Sequence, residues 1–167
     1  MAFSVGTLEE PTYADLNFVK ELKAKLEGAN IPAPAPIEQR WTSSSTSYMS
    51  PAYSENPKEL FSWVGIIMYL PPGQDETARE DITRKFEDYA DIMRAVGKNY
   101  GAVPHWAKIE LPGLVRGNLS NSEYVDKLKQ LKESLQGRYD VKRFNSARTE
   151  LDPDHVLSNT LLETIFD

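Results

Sequence analysis

Two short groupings hold the side chains best suited to chemistry. In Glu38-Gln39-Arg40 a carboxylate and a guanidinium stand two residues apart. On a strand, successive side chains alternate faces, so Glu38 and Arg40 share one face while Gln39 and Trp41 take the other. Side by side, such a pair accepts from a sugar hydroxyl and donates to a ring oxygen or an anion. The same spacing also fits an ordinary surface ion pair, worth ~0 to 1 kcal/mol. The second grouping is His105-Trp106-Ala107-Lys108. In a helical turn His105 and Lys108 share a face; in a strand Trp106 and Lys108 do, with His105 opposed, and the sequence leaves both open. A histidine beside a lysine suits the stabilisation of a developing anion, and a His-Trp neighbour pair equally suits hydrogen-bonded packing. His155, after a proline turn, reads as a surface residue at a helix end.

Other chemistries drop away on composition. There is no cysteine, hence no disulfide framework, thiolate zinc site or cysteine nucleophile. With two histidines and no acidic run of calcium-loop spacing, no metal site is expected. The nine glycines form none of the phosphate-cradling or nucleophile-elbow motifs. Nineteen Lys plus Arg against twenty-five Asp plus Glu leave a net charge of −6, which disfavours nucleic acid as a partner. The longest apolar stretch, residues 60–70, is about half the ~20 residues of a membrane helix, so no transmembrane helix is expected. The start, with Glu9 and Glu10 and no basic lead, does not read as a targeting segment.

The elements that must position the two groupings follow from periodicity. The 167 residues, 40% hydrophobic, suffice for one compact unit or a piece of one. Residues 12–27 read as a helix capped by Thr12 and Asp15, striped by Leu16, Val19, Leu22 and Leu26 and stopped at Gly28. Residues 31–36 alternate proline with small residues, a stiff extended spacer. Residues 37–42 read as a short strand and residues 43–57 as a loop of a length that usually carries a function or mobility. Residues 60–70 read as a central strand buried on both faces. Residues 76–99 form the strongest helix, with Ile82, Phe86, Tyr89, Met93, Val96 and Tyr100 at helical spacing. Residues 105–111 are a short extended or turn segment and 113–121 a loop; 122–135 and 140–151 are helices, and the apolar tail 156–166 docks. The whole is an α+β arrangement, a small sheet covered by helices, too narrow to be a complete layer.

Several runs carry a resemblance. Ile31-Pro32-Ala33-Pro34-Ala35-Pro36-Ile37-Glu38-Gln39-Arg40-Trp41-Thr42, Phe61-Ser62-Trp63-Val64-Gly65-Ile66-Ile67-Met68-Tyr69-Leu70-Pro71, His105-Trp106-Ala107-Lys108-Ile109-Glu110, Ala147-Arg148 with Glu150-Leu151-Asp152-Pro153, and Leu157-Ser158-Asn159 resemble the C-terminal part of the plant-type L-galactono-1,4-lactone dehydrogenases. These belong to the aldonolactone oxidoreductases of vanillyl-alcohol-oxidase type, with the D-arabinono-1,4-lactone oxidases. The resemblance, from about Gly6 to Phe166, implies a cap-type α+β domain with a small antiparallel sheet, incomplete without an N-terminal half that holds most of the FAD. It implies oxidation of an aldono-1,4-lactone at C2 by hydride transfer to flavin, in ascorbate biosynthesis. It places Glu38 and Arg40 in the substrate pocket, and His105 and Lys108 beside the flavin, with Lys108 also catalytic.

By the same resemblance the chain is mitochondrial, with cytochrome c and respiratory complex I as partners besides the lactone and the FAD-binding half. Residues 1–111 are expected to be the cap portion and 112–167 a helical segment that packs on the FAD domain. Apolar surface around Trp106 and the 156–166 tail is expected to meet that domain. The alternatives are a non-catalytic structural or assembly subunit of a mitochondrial respiratory complex, indifferent to Glu38 and Arg40, and an unrelated soluble binding module.

Overall fold

A computed structural model describes residues 1–33, 35–108 and 121–166. The chain divides into two compact units. One comprises Met1–Ser45 with Ser54–Pro104, the other Thr46–Tyr53 with His105–Asp167. The α+β expectation holds: the described residues form three antiparallel strands and five α-helices.

In the first unit, β1 (Ala2–Ser4), β2 (Glu38–Ser43) and β3 (Leu60–Gly65) form a sheet in the order β1-β3-β2. The strand expected at residues 60–70 is central, but it ends at Gly65. Residues 66–70 stay apolar without pairing, and Tyr69 and Leu70 are exposed, so apolar content there does not track strand length. The third strand is Ala2–Ser4; of residues 105–111, expected to be extended or turn, 106–108 form a turn and 109–111 lie outside the described residues. Register fixes the two faces of the sheet. Phe3 lies opposite Ser62, Gln39 opposite Val64 and Trp41 opposite Ser62; Glu38 faces Gly65, Arg40 faces Trp63 and Thr42 faces Phe61.

Helices α1 (Ala14–Gly28) and α2 (Glu76–Asn99) pack on each other and close the Phe3 and Val64 side. Phe18 and Leu22 from α1 and Tyr89, Met93 and Val96 from α2 are buried there, and the Phe3 and Phe18 rings stand 4.9 Å apart. Burial of this kind stabilises by roughly 1.5 to 3 kcal/mol per large side chain. α2 matches its expected span; Asp75 caps it by accepting from the Ala78 amide at 2.8 Å. α1 differs at both ends. Its N-cap Tyr13 is left-handed at φ 56° and makes no side-chain cap bond; Thr12 Oγ1 accepts from the Ala14 amide at 3.4 Å, while Asp15 accepts from the Trp41 indole at 2.9 Å. The helix runs through Gly28, and Asn30, at φ 52°, supplies the reversal. The amides of Asn30 and Ile31 donate to the carbonyls of Glu27 and Leu26, a Schellman ending.

In the second unit, α3 (Asn121–Arg138), α4 (Val141–Leu151) and α5 (Thr160–Phe166) pack with the middle of the long loop. That loop helps to build the unit. Met49 and Ala52 are buried, the Trp106 indole donates to the Met49 carbonyl at 3.0 Å, and the Arg143 guanidinium lies 4.9 Å over the Tyr48 ring. Trp106, half-buried, packs edge-on to Phe166 at 5.6 Å. Phe144 joins it on Phe166 at 5.0 Å. The tail docks through Ile165 and Phe166, as its apolar character predicts. Pro34, the Ile109-Glu110 end of the motif and the loop expected up to residue 120 lie outside the described residues. No helix among the described residues is long and apolar enough to cross a membrane.

Candidate functional site

The residues of β2 alternate as the strand pattern predicts. Gln39 and Trp41 turn to the helix-covered face, where the Gln39 amide donates to the buried Ser62 hydroxyl at 3.1 Å. Glu38 and Arg40 turn to the opposite face, with Arg40 Nη2 3.5 Å from Glu38 Oε2. Their side chains are 50% and 76% exposed, so this contact contributes about 0 to 1 kcal/mol to folding. Neither group is committed to holding the fold together, and each keeps hydrogen-bonding capacity for another molecule.

The same face carries groups that sequence reasoning missed. Trp63 lies opposite Arg40, and its indole N–H donates to Thr42 Oγ1 at 2.8 Å, which fixes the ring. Gly65 lies opposite Glu38 and adds no side chain. Together these make a polar pair beside an aromatic ring and a bare stretch of backbone. The signal was present as the alternation Phe61, Trp63, Gly65, but only the cross-strand register shows that it aligns with Glu38 and Arg40.

His105 and Lys108 belong to the second unit. Trp106–Lys108 is a single 3-10 turn, closed by the Lys108 amide donating to the His105 carbonyl at 2.9 Å. This resolves the open alternative in favour of the turn, in which positions three apart stand on one side. His105 is half-buried and Lys108 exposed. Burial pushes the His105 pKa below its usual value, and the Lys108 ammonium adds to the effect. At neutral pH the imidazole is therefore uncharged, and Lys108 supplies the positive charge of the pair. The structure brings Glu38 to Arg40 within one unit, and His105 to Lys108 within the other.

His155 sits exposed in the turn after α4, at φ 54°, with Nδ1 3.2 Å from Glu163 Oε1. It belongs to a hydrogen-bonded cluster with Arg148 and Ser158, remote in kind from a metal centre. Among the described residues no group of three or more His, Asp or Glu side chains could hold a metal ion.

The implied FAD can be tested against these donors. A neutral imidazole and an exposed ammonium on one turn fit the anionic edge of an isoalloxazine ring, whereas no glycine-rich turn leading from a strand into a helix N-terminus is present among the described residues to cradle its pyrophosphate. The residues present fit the redox edge of the cofactor alone.

Comparison with known proteins gives the family of the chain. The family model described as D-arabinono-1,4-lactone oxidase matches residues 11–165. The chain is 44% identical over 165 residues to the mitochondrial L-galactono-1,4-lactone dehydrogenase of Brassica oleracea, covering 98% of this chain and 26% of that protein. It is 46% identical over 165 residues to mitochondrial L-galactono-1,4-lactone dehydrogenase 1 of Oryza sativa subsp. japonica, with 98% and 26% covered. Against the L-gulonolactone oxidase of Bos taurus it is 29% identical over 147 residues, 87% of this chain and 27% of that protein. The chain thus spans about a quarter of the length of the relatives it matches, their C-terminal part. Because the family match covers residues 11–165, which takes in both groupings and nearly the whole of both units, this chain belongs to the D-arabinono-1,4-lactone oxidase family.

Proposed function

We propose that this chain is the C-terminal, substrate-pocket part of an FAD-dependent oxidoreductase that oxidises an aldono-1,4-lactone at C2, in mitochondria and in ascorbate biosynthesis. The observation that carries the reading is the exposed Glu38–Arg40 pair, held on the sheet face turned away from α1 and α2. Family membership and the mitochondrial dehydrogenases among the relatives support it.

In this reading Glu38 Oε2 accepts the hydrogen bond of the C2 hydroxyl and Arg40 donates to the lactone carbonyl, which orients the C2–H bond. When bound, the flavin supplies the two-electron acceptor, taking hydride at N5. As the C2–H bond breaks, the C2 hydroxyl would pass its proton to the Glu38 carboxylate that it bonds, and from there to solvent, leaving a ketone at C2. By the family resemblance, Lys108 and the uncharged His105 would lie beside the flavin, where Lys108 would supply fixed positive charge and His105 a hydrogen bond without added charge. The FAD-binding half is supplied in cis or in trans, and residues 112–167 pack on it. The highly exposed Leu151, Val156 and Leu157, at 82%, 78% and 81%, support that packing.

The test is made in the flavin-loaded protein assembled from this chain and its FAD-binding half. Glu38→Gln keeps shape and loses charge, while Arg40→Lys keeps charge and loses the planar fork. Each should lower kcat/KM at least about tenfold, about 1.4 kcal/mol, with flavin content and melting temperature unchanged. Parent activity in either variant would overturn the pocket assignment and favour the non-catalytic subunit.

A further inference from the structure

Gly65 is hard to explain from the fold alone. It is the last residue of β3 and pairs with Glu38, and its φ is not positive, so no backbone conformation requires glycine. A Cβ added there would lie 3.8 Å from Glu38 Oε2 and 3.9 Å from Glu38 Cβ, ordinary contact distances, with nothing else among the described residues within 4 Å. Glycine in a strand weakens it relative to alanine, and one that neither dihedral nor crowding demands is the kind of position at which a ligand or another backbone comes close. The next residue on that face, Trp63, is half-buried with its ring fixed by Thr42. The face therefore presents a carboxylate, a guanidinium, an indole ring and a gap directly beside the carboxylate.

A sugar lactone is complementary to this set: one face of its ring is largely C–H, its rim carries hydroxyls, and it needs room next to the group that accepts from C2–OH. Building on the lactone reading above, we infer that Gly65 and Trp63 are the floor of the pocket. Trp63 takes the apolar face of the ring, and the missing side chain at 65 lets the ring sit against Glu38. Residue 65 thereby governs how large a lactone the site admits. It is a specificity-determining position, whereas Glu38 and Arg40 orient the reacting bond.

The experiment uses the same flavin-loaded protein, with Gly65→Ala, Gly65→Val and, in parallel, Glu38→Gln. For L-galactono-1,4-lactone, KM should rise about threefold with Ala and about tenfold or more with Val, with kcat within about twofold of the parent. The smaller D-arabinono-1,4-lactone should lose less. Lactone affinity is also measured without turnover, by titrating the dithionite-reduced protein, which cannot accept hydride, and following the Trp63 indole N–H resonance. That resonance should shift in the parent, and the Kd should weaken with residue size as KM does. If Gly65→Val leaves both KM and Kd at parent values while Glu38→Gln loses activity, the floor is wrong and the lactone reading stands. If Glu38→Gln also keeps parent activity, both fall. Because the alanine Cβ has room, Gly65→Ala decides the matter even if the valine variant fails to fold.

Discussion

Arg148 should be one of the most sensitive single positions of the second unit. Its side chain, 13% exposed, runs from α4 to the turn that follows, the guanidinium donating to Ser158 Oγ at 2.8 Å and to the Glu163 carboxylate of α5. The turn is itself tied down, since Asp152 accepts from the amides of Val156 and Leu157, both at 2.8 Å. Glu163 is 34% exposed, so the pair lies between a surface pair, worth about 0 to 1 kcal/mol, and a fully buried one, whose breakage costs about 3 to 5 kcal/mol. Arg148→Met keeps the aliphatic stem and loses the charge-assisted bonds, which sets its expected cost at about 2 kcal/mol. Urea denaturation of the parent, Arg148→Met, Glu163→Leu and the double variant gives the coupling directly. The double variant should be less destabilised than the sum of the singles by at least about 1 kcal/mol. Hydrogen exchange should speed up first in α4 and α5. Additivity within about 0.5 kcal/mol would refute the reasoning, because the two side chains would then act independently.

Two further outcomes follow from local geometry. His105 has a lowered pKa in the folded chain, so between that value and its usual value of about 6.5 the unfolded chain binds more protons. Its contribution to stability is full above about pH 6.5 and is lost as pH falls through the folded value; NMR titration of the ring should show this, and His105→Gln should remove that part of the pH dependence. A His105 pKa at or above the usual value would contradict the assignment of Lys108 as the charged member. Gly6 sits at φ +83°, and an added Cβ would come within 2.3 Å of the Glu10 carbonyl oxygen. Gly6→Ala should therefore cost about 2 kcal/mol or more by urea denaturation, and an unchanged midpoint would show that the turn before α1 is built differently.

The parts of the fold legible in the sequence are those specified by local pattern. The stripe of α2 repeats over about five turns and the helix carries its own cap, so its span could be read from the chain. β1 is three residues long, too short for a period of two to stand out, and it exists because β3 offers Phe61, Ser62 and Trp63 as partners. The end of β3 was illegible because apolar residues continue to Leu70 after pairing stops. At the candidate site, the shared face of Glu38 and Arg40 follows from spacing two apart, a local property. Trp63 and Gly65 join them through a register between segments more than twenty residues apart, which no spacing within one segment encodes. The Arg148 and Ser158 runs are explained by the cluster around Glu163, a packing role in this chain.

The site pair lies on β2, one of the two outer strands of the sheet, and one side of that strand has no partner among the described residues. Outer strands are usually protected from self-association by charge. Here the protection is weak. With an acid at 38 and a base at 40, two copies laid antiparallel about Gln39 would set each Glu38 against the other's Arg40, an attractive match on both sides. The residues that suit this strand to bind a polar ligand thus also make its free edge a template for a second copy, so aggregation during refolding is a hazard located at residues 38–43.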